Sequence, residues 1–189
     1  KSTDDSLAYA LGIANYFFYM SDSIDIDPVL LAKGMLDAKA GKNTLDEQAA
    51  QGFVMTYMQK RQAEKMKAMY GKNIDEGEKF LSENKKRDGV QETTSGLQYE
   101  VITQGTGPKP GPTDVVKVHY TGTLLDSTKF DSSVDRGEPA SFGVNQVIPG
   151  WQEAIQLMPV GSKYKFYIPY ELAYGEQGQG PIPPYSTLV

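Results

Sequence analysis

Apolar residues recur at helical spacing through the first half of the chain and at alternating positions through the second, with the change at Gly89. Residues 7–20, LAYALGIANYFFYM, are an apolar run of helical length preceded by the cap-type residues Asp4, Asp5 and Ser6. A run of about 14 residues is too short to span a bilayer, and without a basic flank it does not read as a secretion signal. It predicts a buried or interface helix. A second helix follows in DIDPVLLAKGMLDAKAGK, where Asp27 caps, Pro28 takes the first helical position and Gly41 supplies the stop. Thr44 and Glu47 have capping-box spacing, and no proline interrupts from there to Lys86. A continuous helix of about 40 residues would be about 60 Å long.

Leu45, Ala49, Phe53, Met55 and Met58 make the first half of this third helix apolar, whereas residues 61–88 are heavily charged and predict a solvated connector. Gly71 and Gly77 weaken that half by about 1 kcal/mol each against alanine and mark points at which it can bend. Roughly the first 58 residues carry more apolar side chain than so small a unit can bury alone. The expected answer is a two-fold dimer that buries Tyr16, Phe17, Phe18, Tyr19, Phe53, Met55 and Met58 in one shared core.

Beyond Gly89 the period becomes two. LQYEVIT places Leu97, Tyr99 and Val101 on one face, and VVKVHYTGTLL sets Val116, Val118 and Tyr120 against Lys117, His119 and Thr121. A proline and glycine loop separates these two strands, and SKYKFYIP repeats the alternation. The only helical pattern in this half is short, around residues 150–158. The fold class expected is therefore α+β, with an antiparallel sheet folded over one helix.

A formal net charge of -5 offers no general attraction to phosphate backbones, so nucleic acid is not an expected partner. The absence of cysteine removes disulfides, thiolate catalysis and zinc–thiolate sites. With His119 as the single histidine, an all-histidine metal site within one chain is excluded, and no metal or cofactor is expected. The chain begins at Lys1 rather than at methionine, which predicts an upstream segment removed.

The candidate chemistry lies in residues 146–175. They hold the single tryptophan, Trp151, on a short helix, then a strand, then a glycine loop bearing Tyr174. An apolar ligand pocket needs such a rigid floor and polar-tipped wall. The same residues also read as ordinary packing. Trp151, Phe130, Phe142, Val147 and Ile148 suit a plain core, and Asp131 followed by two serines suits a turn or cap. His119 reads as structural.

VHYTGTLLDSTKFDSS, QVIPGWQEAIQLMPVG, AYG and IPPYSTLV together resemble the FKBP family of peptidyl-prolyl cis/trans isomerases over residues 95–189. LAKGMLDA, FLSENKK and SGLQYEVI resemble its Mip-like (macrophage infectivity potentiator) bacterial subgroup. The resemblance implies a helical dimerisation module over residues 1–44 and a long connecting helix over 45–88, its first half also in the dimer core. An FKBP-like isomerase domain would fill 89–189. It places Trp151 as the floor beneath the proline ring, with Tyr120, Phe130, Phe142, Val147 and Ile148 as walls. It makes Tyr174 the hydroxyl donor to the peptide carbonyl, the Ile148 N–H a second anchor, and Asp131 the carboxylate beside the reacting amide, steadied by Arg136. Partners implied are proline-containing polypeptides, a second copy of the chain through the N-terminal helices, and macrolide inhibitors. The implied location is the bacterial envelope, periplasmic or outer-membrane associated.

Three departures from the family stand out: Ala140 where many relatives carry a bulky aromatic, the distinct loop EQGQGP at residues 176–181, and a chain that stops at Val189, where a further strand is expected. An Xaa-Pro bond prefers trans by only about 0.5–1 kcal/mol but crosses a barrier of about 18–20 kcal/mol. Twisting the amide reduces its polarity, so an apolar, water-poor pocket favours the twisted state without nucleophile or metal. An alternative is a dimeric chaperone or proline-peptide binding module, its Met55, Met58, Met66 and Met69 making adaptable contacts and its isomerase rate incidental. A carbohydrate-binding aromatic pocket is a third reading and has no motif behind it.

Overall fold

The computed structural model describes residues 2–189, which divide into two compact units, residues 2–57 and Met58–Val189, with one helix running through the boundary. The first unit contains α1 (Thr3–Ser21), α2 (Pro28–Lys39) and the start of α3 (Glu47–Asn84). α1 begins earlier than Asp4–Ser6 would place it. Ser2 caps it: its Oγ accepts from Asp5 N at 3.1 Å while Asp5 Oδ2 accepts from Ser2 N at 2.9 Å, a reciprocal box that satisfies two otherwise orphaned donors. α2 starts as its sequence dictates, with Asp27 Oδ1 accepting from Val29 N at 2.8 Å, and ends before Gly41 at φ 67°. α3 is capped by Asp46, whose Oδ1 accepts from Ala49 N at 2.7 Å, so the Thr44–Glu47 box does not form. Three cap-type residues compete within four positions there, and the one nearest the first turn prevails.

Neither α1 nor α2 buries a side chain, and Ile24 is the one buried apolar residue among the described residues of this unit. Tyr16, Phe17, Phe18, Leu30 and Met55 are exposed, as is Phe53 at 68%.

The second unit is built from β1 (Val90–Glu92), β2 (Gln98–Thr103), β3 (Val115–Val118), β4 (Thr121–Thr123), β5 (Lys129–Ser132), β6 (Ala140–Gly143), α4 (Pro149–Leu157) and β7 (Lys163–Tyr167). It is α+β with antiparallel pairing, resolved into three ladders: β1-β2-β7, β3-β6 and β4-β5. The chain end joins two of them. Leu188 exchanges backbone bonds with Ile168 at 2.8 and 2.9 Å, and Val189 does so with Thr123 at 2.8 and 2.9 Å. Up to Val189, therefore, these edges are paired. The core is Leu97, Ala154, Ile168, Ile182 and Leu188.

The alternation expected of β2 is only partly kept. Leu97 is buried, but Gln98 is buried too, at 1%, while Val101 is 38% exposed. The reason is the last part of α3, which covers the Gln98 face of the sheet. Asn84 Nδ2 donates to Gln98 Oε1 at 2.9 Å, and Gln98 Nε2 donates to the Leu81 carbonyl at 2.9 Å and to Glu92 Oε2 at 2.7 Å. Arg87 pairs with Glu100 at 2.9 Å, Tyr167 donates to Glu100 at 2.7 Å, and the rings of Phe80 and Tyr167 lie 5.6 Å apart. Further back, Asn73 Nδ2 donates to the Pro184 carbonyl at 2.8 Å, and Gly77 is buried against Thr187. The charged half of α3 is thus not a solvated connector throughout. Gly77 is a close-approach position rather than a bend, since any side chain there would collide with Thr187 Oγ1.

Candidate functional site

The site begins at the start of α4. Pro149 occupies the first helical position, where its missing N–H costs nothing, and the Ile148 carbonyl opens the helix by accepting from Trp151 N at 2.9 Å and Gln152 N at 3.0 Å. Gly150 lets α4 lie close on the body: a Cβ there would sit 2.5 Å from Ile168 Cγ2 and 3.0 Å from the Leu172 carbonyl. These constraints set Trp151, on the first turn, against the core while leaving its ring half-buried.

Two further rings meet it. Tyr120, just beyond β3, stands edge-on to Trp151 with centroids 4.8 Å apart and planes at 88°, and Phe142 of β6 lies 5.4 Å away at 50°. Both geometries are favoured aromatic pairings. Phe130, Ile148 and Tyr174 pack with Trp151 on the same core cluster. Phe130 approaches Gly122 of β4 so closely that a Cβ there would lie 2.5 Å from its ring. Val147 takes part through its carbonyl, which accepts from Gln152 Nε2 at 2.8 Å, and its side chain is not among those packed on the cluster.

A polar group flanks the rings. The Tyr120 hydroxyl donates to Asp131 Oδ2, Arg136 Nη1 donates to Asp131 Oδ1, and Arg136 Nη2 donates to the Tyr120 hydroxyl at 3.2 Å. The guanidinium also lies 5.7 Å from the centre of the Tyr120 ring. The hydrogen bond from Tyr120, reinforced by Arg136, holds the Asp131 carboxyl below the usual carboxylate range against the opposing effect of burial. Burial, followed by its bond to that carboxylate, pushes the Tyr120 phenol up. The two polar side chains therefore stay in opposite, mutually supporting protonation states at neutral pH.

Sequence reasoning missed the residue that fixes Tyr120. Ser133 is fully buried, its Oγ accepts from Tyr120 N at 2.8 Å, and its own N–H donates to the Tyr120 carbonyl at 3.0 Å. Its Oγ also lies 3.2 Å from His119 Nδ1. The signal was the small polar pair after Asp131, which reads as a turn until Tyr120 is found opposite it. Ala140 sits half-buried opposite Val118, and the loop after Tyr174 is tightened by reciprocal Gln179–Ile182 bonds of 3.0 and 2.9 Å.

Among the described residues, neither the Ile148 N–H nor the Tyr174 hydroxyl has a hydrogen-bond partner. An aromatic floor with two unpartnered donors can hold an apolar ring and an adjacent carbonyl. No group of three or more potential metal ligands occurs among the described residues.

Comparison with known proteins finds two family models that match the chain. Residues 107–189 match the model described as FKBP-type peptidyl-prolyl cis-trans isomerase, and residues 4–101 match the domain amino terminal to it. The chain is 48% identical over 199 residues to FKBP-type peptidyl-prolyl cis-trans isomerase FkpA of Aeromonas hydrophila, covering 100% of this chain and 74% of that protein. It is 44% identical over 190 residues to outer membrane protein MIP of Legionella longbeachae, covering 98% and 82%. The crystal structure of FkpA from Escherichia coli superposes with a TM-score of 0.64 at 38% identity, covering 100% of this chain and 93% of that one.

Proposed function

The chain belongs to the FKBP-type peptidyl-prolyl cis-trans isomerases, of the Mip and FkpA kind, and from that premise we propose that Xaa-Pro bonds rotate over Trp151. The observation that carries this reading is the cluster of Tyr120, Phe142 and Trp151 beside the unpartnered Ile148 N–H and Tyr174 hydroxyl. The proline ring rests on the Trp151 face between Tyr120, Phe130 and Phe142, with Val147 at the margin. Water is excluded from the amide, and the less polar twisted state gains relative to the planar one. The Tyr174 hydroxyl and the Ile148 N–H take the carbonyls flanking the rotating bond, so rotation is confined to one bond. Asp131, kept ionised and oriented by Tyr120 and Arg136, stands beside the amide as a fixed charge and gives up no proton.

Phe142→Ala tests the pocket. Losing one aromatic wall removes about 1.5–3 kcal/mol of apolar contact, which corresponds to a fall in kcat/KM of about 10- to 150-fold. Turnover of an Xaa-Pro peptide by the whole chain reads this out, and an unchanged kcat/KM in a folded variant sinks the reading.

The substrate class is proline-containing polypeptide, and macrolides that mimic a proline ring are proposed ligands of the same pocket. Self-association through the N-terminal helices is proposed on the exposed Tyr16, Phe17, Phe18, Phe53 and Met55, with Ala8, Tyr9, Gly12, Ile13 and Pro28 completing an open apolar groove. We accordingly divide the chain into a dimerisation module (1–44), a connecting helix (45–88) whose first half also joins the dimer core, and an isomerase domain (89–189). No helix among the described residues is long and apolar enough to cross a membrane. An envelope location is proposed from the name of the Legionella relative, an outer membrane protein.

A further inference from the structure

We propose that Asn73 of α3 is a positioning residue for the Tyr174 hydroxyl, acting through the segment 184–187. This rests on the role given to Tyr174 above. Tyr174, packed on the core cluster, is followed by Gly175, which turns at φ 62° and is held from two sides. Its N–H donates to the Tyr170 carbonyl at 2.9 Å, and its carbonyl accepts from Tyr185 N at 3.0 Å. The second of these bonds ties the Tyr174 turn to Tyr185, in the segment that α3 holds.

Tyr185 is itself strained. It sits at φ 59°, a conformation that bulky residues adopt only where their surroundings impose it, and it is 3% exposed with its ring edge-on to Tyr170 at 5.3 Å. What imposes it on the other side is α3. Asn73 and Gly77 are four residues apart and so share one helix face. Asn73 Nδ2 donates to the Pro184 carbonyl at 2.8 Å, immediately before Tyr185, and Gly77 receives Thr187, two residues after it. α3 therefore grips the chain on both sides of the strained residue, and the Tyr185 N–H is thereby aimed at Gly175. Without the Asn73 bond, the peptide between Pro184 and Tyr185 is free to rotate, Tyr185 relaxes toward negative φ, and the turn carrying Tyr174 loses its anchor.

The test is a double-mutant cycle in the full chain, with kcat and KM measured separately on an Xaa-Pro peptide. Asn73→Ala is expected to lower kcat/KM by about 3- to 10-fold, the worth of one neutral hydrogen bond. Asn73→Asp, which keeps the size but removes the donor, is expected to lose as much. In a Tyr174→Phe background the Asn73→Ala change is expected to have almost no further effect, because the hydroxyl it positions is gone. A loss of the same factor in both backgrounds marks a general structural effect and overturns the proposal. So does full activity of Asn73→Ala when Tyr174→Phe is impaired. If Tyr174→Phe is fully active, the role of Tyr174 fails and the role of Asn73 falls with it.

Discussion

Gly71 and Gly77 lie on the same helix, six positions apart, and alanine should stabilise the chain at Gly71 but not at Gly77. The gain common to both is about 1 kcal/mol, because alanine loses less backbone entropy than glycine in a helix interior. At Gly71 an added Cβ meets nothing within 4 Å, so the gain stands alone. At Gly77 the same Cβ overlaps Thr187 Oγ1, with Thr187 Cβ at 3.5 Å. Thr187 is 3% exposed and, as a β-branched residue, has little rotamer freedom with which to move aside. Overpacking of this kind costs about 1–3 kcal/mol, which cancels or outweighs the helical gain. The two variants should therefore differ by about 1–3 kcal/mol, or about 2–4 °C in melting midpoint for each kcal/mol in a chain of this size. Heating followed by tryptophan fluorescence reads the correct unit, since Trp151 and both glycines lie within Met58–Val189. Adding Thr187→Ala to Gly77→Ala should recover the helical gain. Equal stabilisation by Gly71→Ala and Gly77→Ala would refute the close packing of α3 on Thr187.

The pH dependence has a definite sign. The carboxyl of Asp131 has its folded pKa depressed, chiefly by Tyr120 and then by Arg136, so its stabilising contribution is present above the ordinary carboxylate pKa and is lost as pH falls through the depressed value. Acid unfolding of Asp131→Asn should accordingly show a shallower loss of stability below about pH 4 than the parent chain, and isomerase activity should not respond to Asp131 titration between about pH 5 and 8. Gln98→Leu strands the buried Asn84 amide and should cost about 1–3 kcal/mol in urea unfolding. Replacing Asn84 by leucine as well should return much of that loss.

What could be read from the sequence was what is decided locally. Asp27, Pro28 and Gly41 bound α2 because caps and stops act within one turn, and Val116, Val118 and Tyr120 alternate as written because the neighbouring face of their strand stays exposed. Gln98 and Val101 defeated the same rule. A helix more than ten residues upstream covers the second face of β2, and alternation assumes only one covered face. Gly77 looked like a bend because glycine in a charged run has no visible partner until Thr187 is brought over it. The site divides in the same way. Ile148, Pro149 and Trp151 are one helix start and legible together, but the meeting of Trp151 with Tyr120 and Phe142 joins different elements, and only the family resemblance put them in one pocket. Ser133 carried no signal beyond its smallness.

The single tryptophan makes the central claim directly measurable. With the indole nitrogen labelled, the whole chain gives one indole resonance, and an Xaa-Pro peptide gives separate cis and trans signals whose exchange reports turnover in the same tube. Rotation over Trp151 predicts that the indole resonance shifts and saturates at the peptide concentrations at which cis/trans exchange accelerates. Accelerated exchange with an unmoved indole resonance would put the chemistry elsewhere on the molecule.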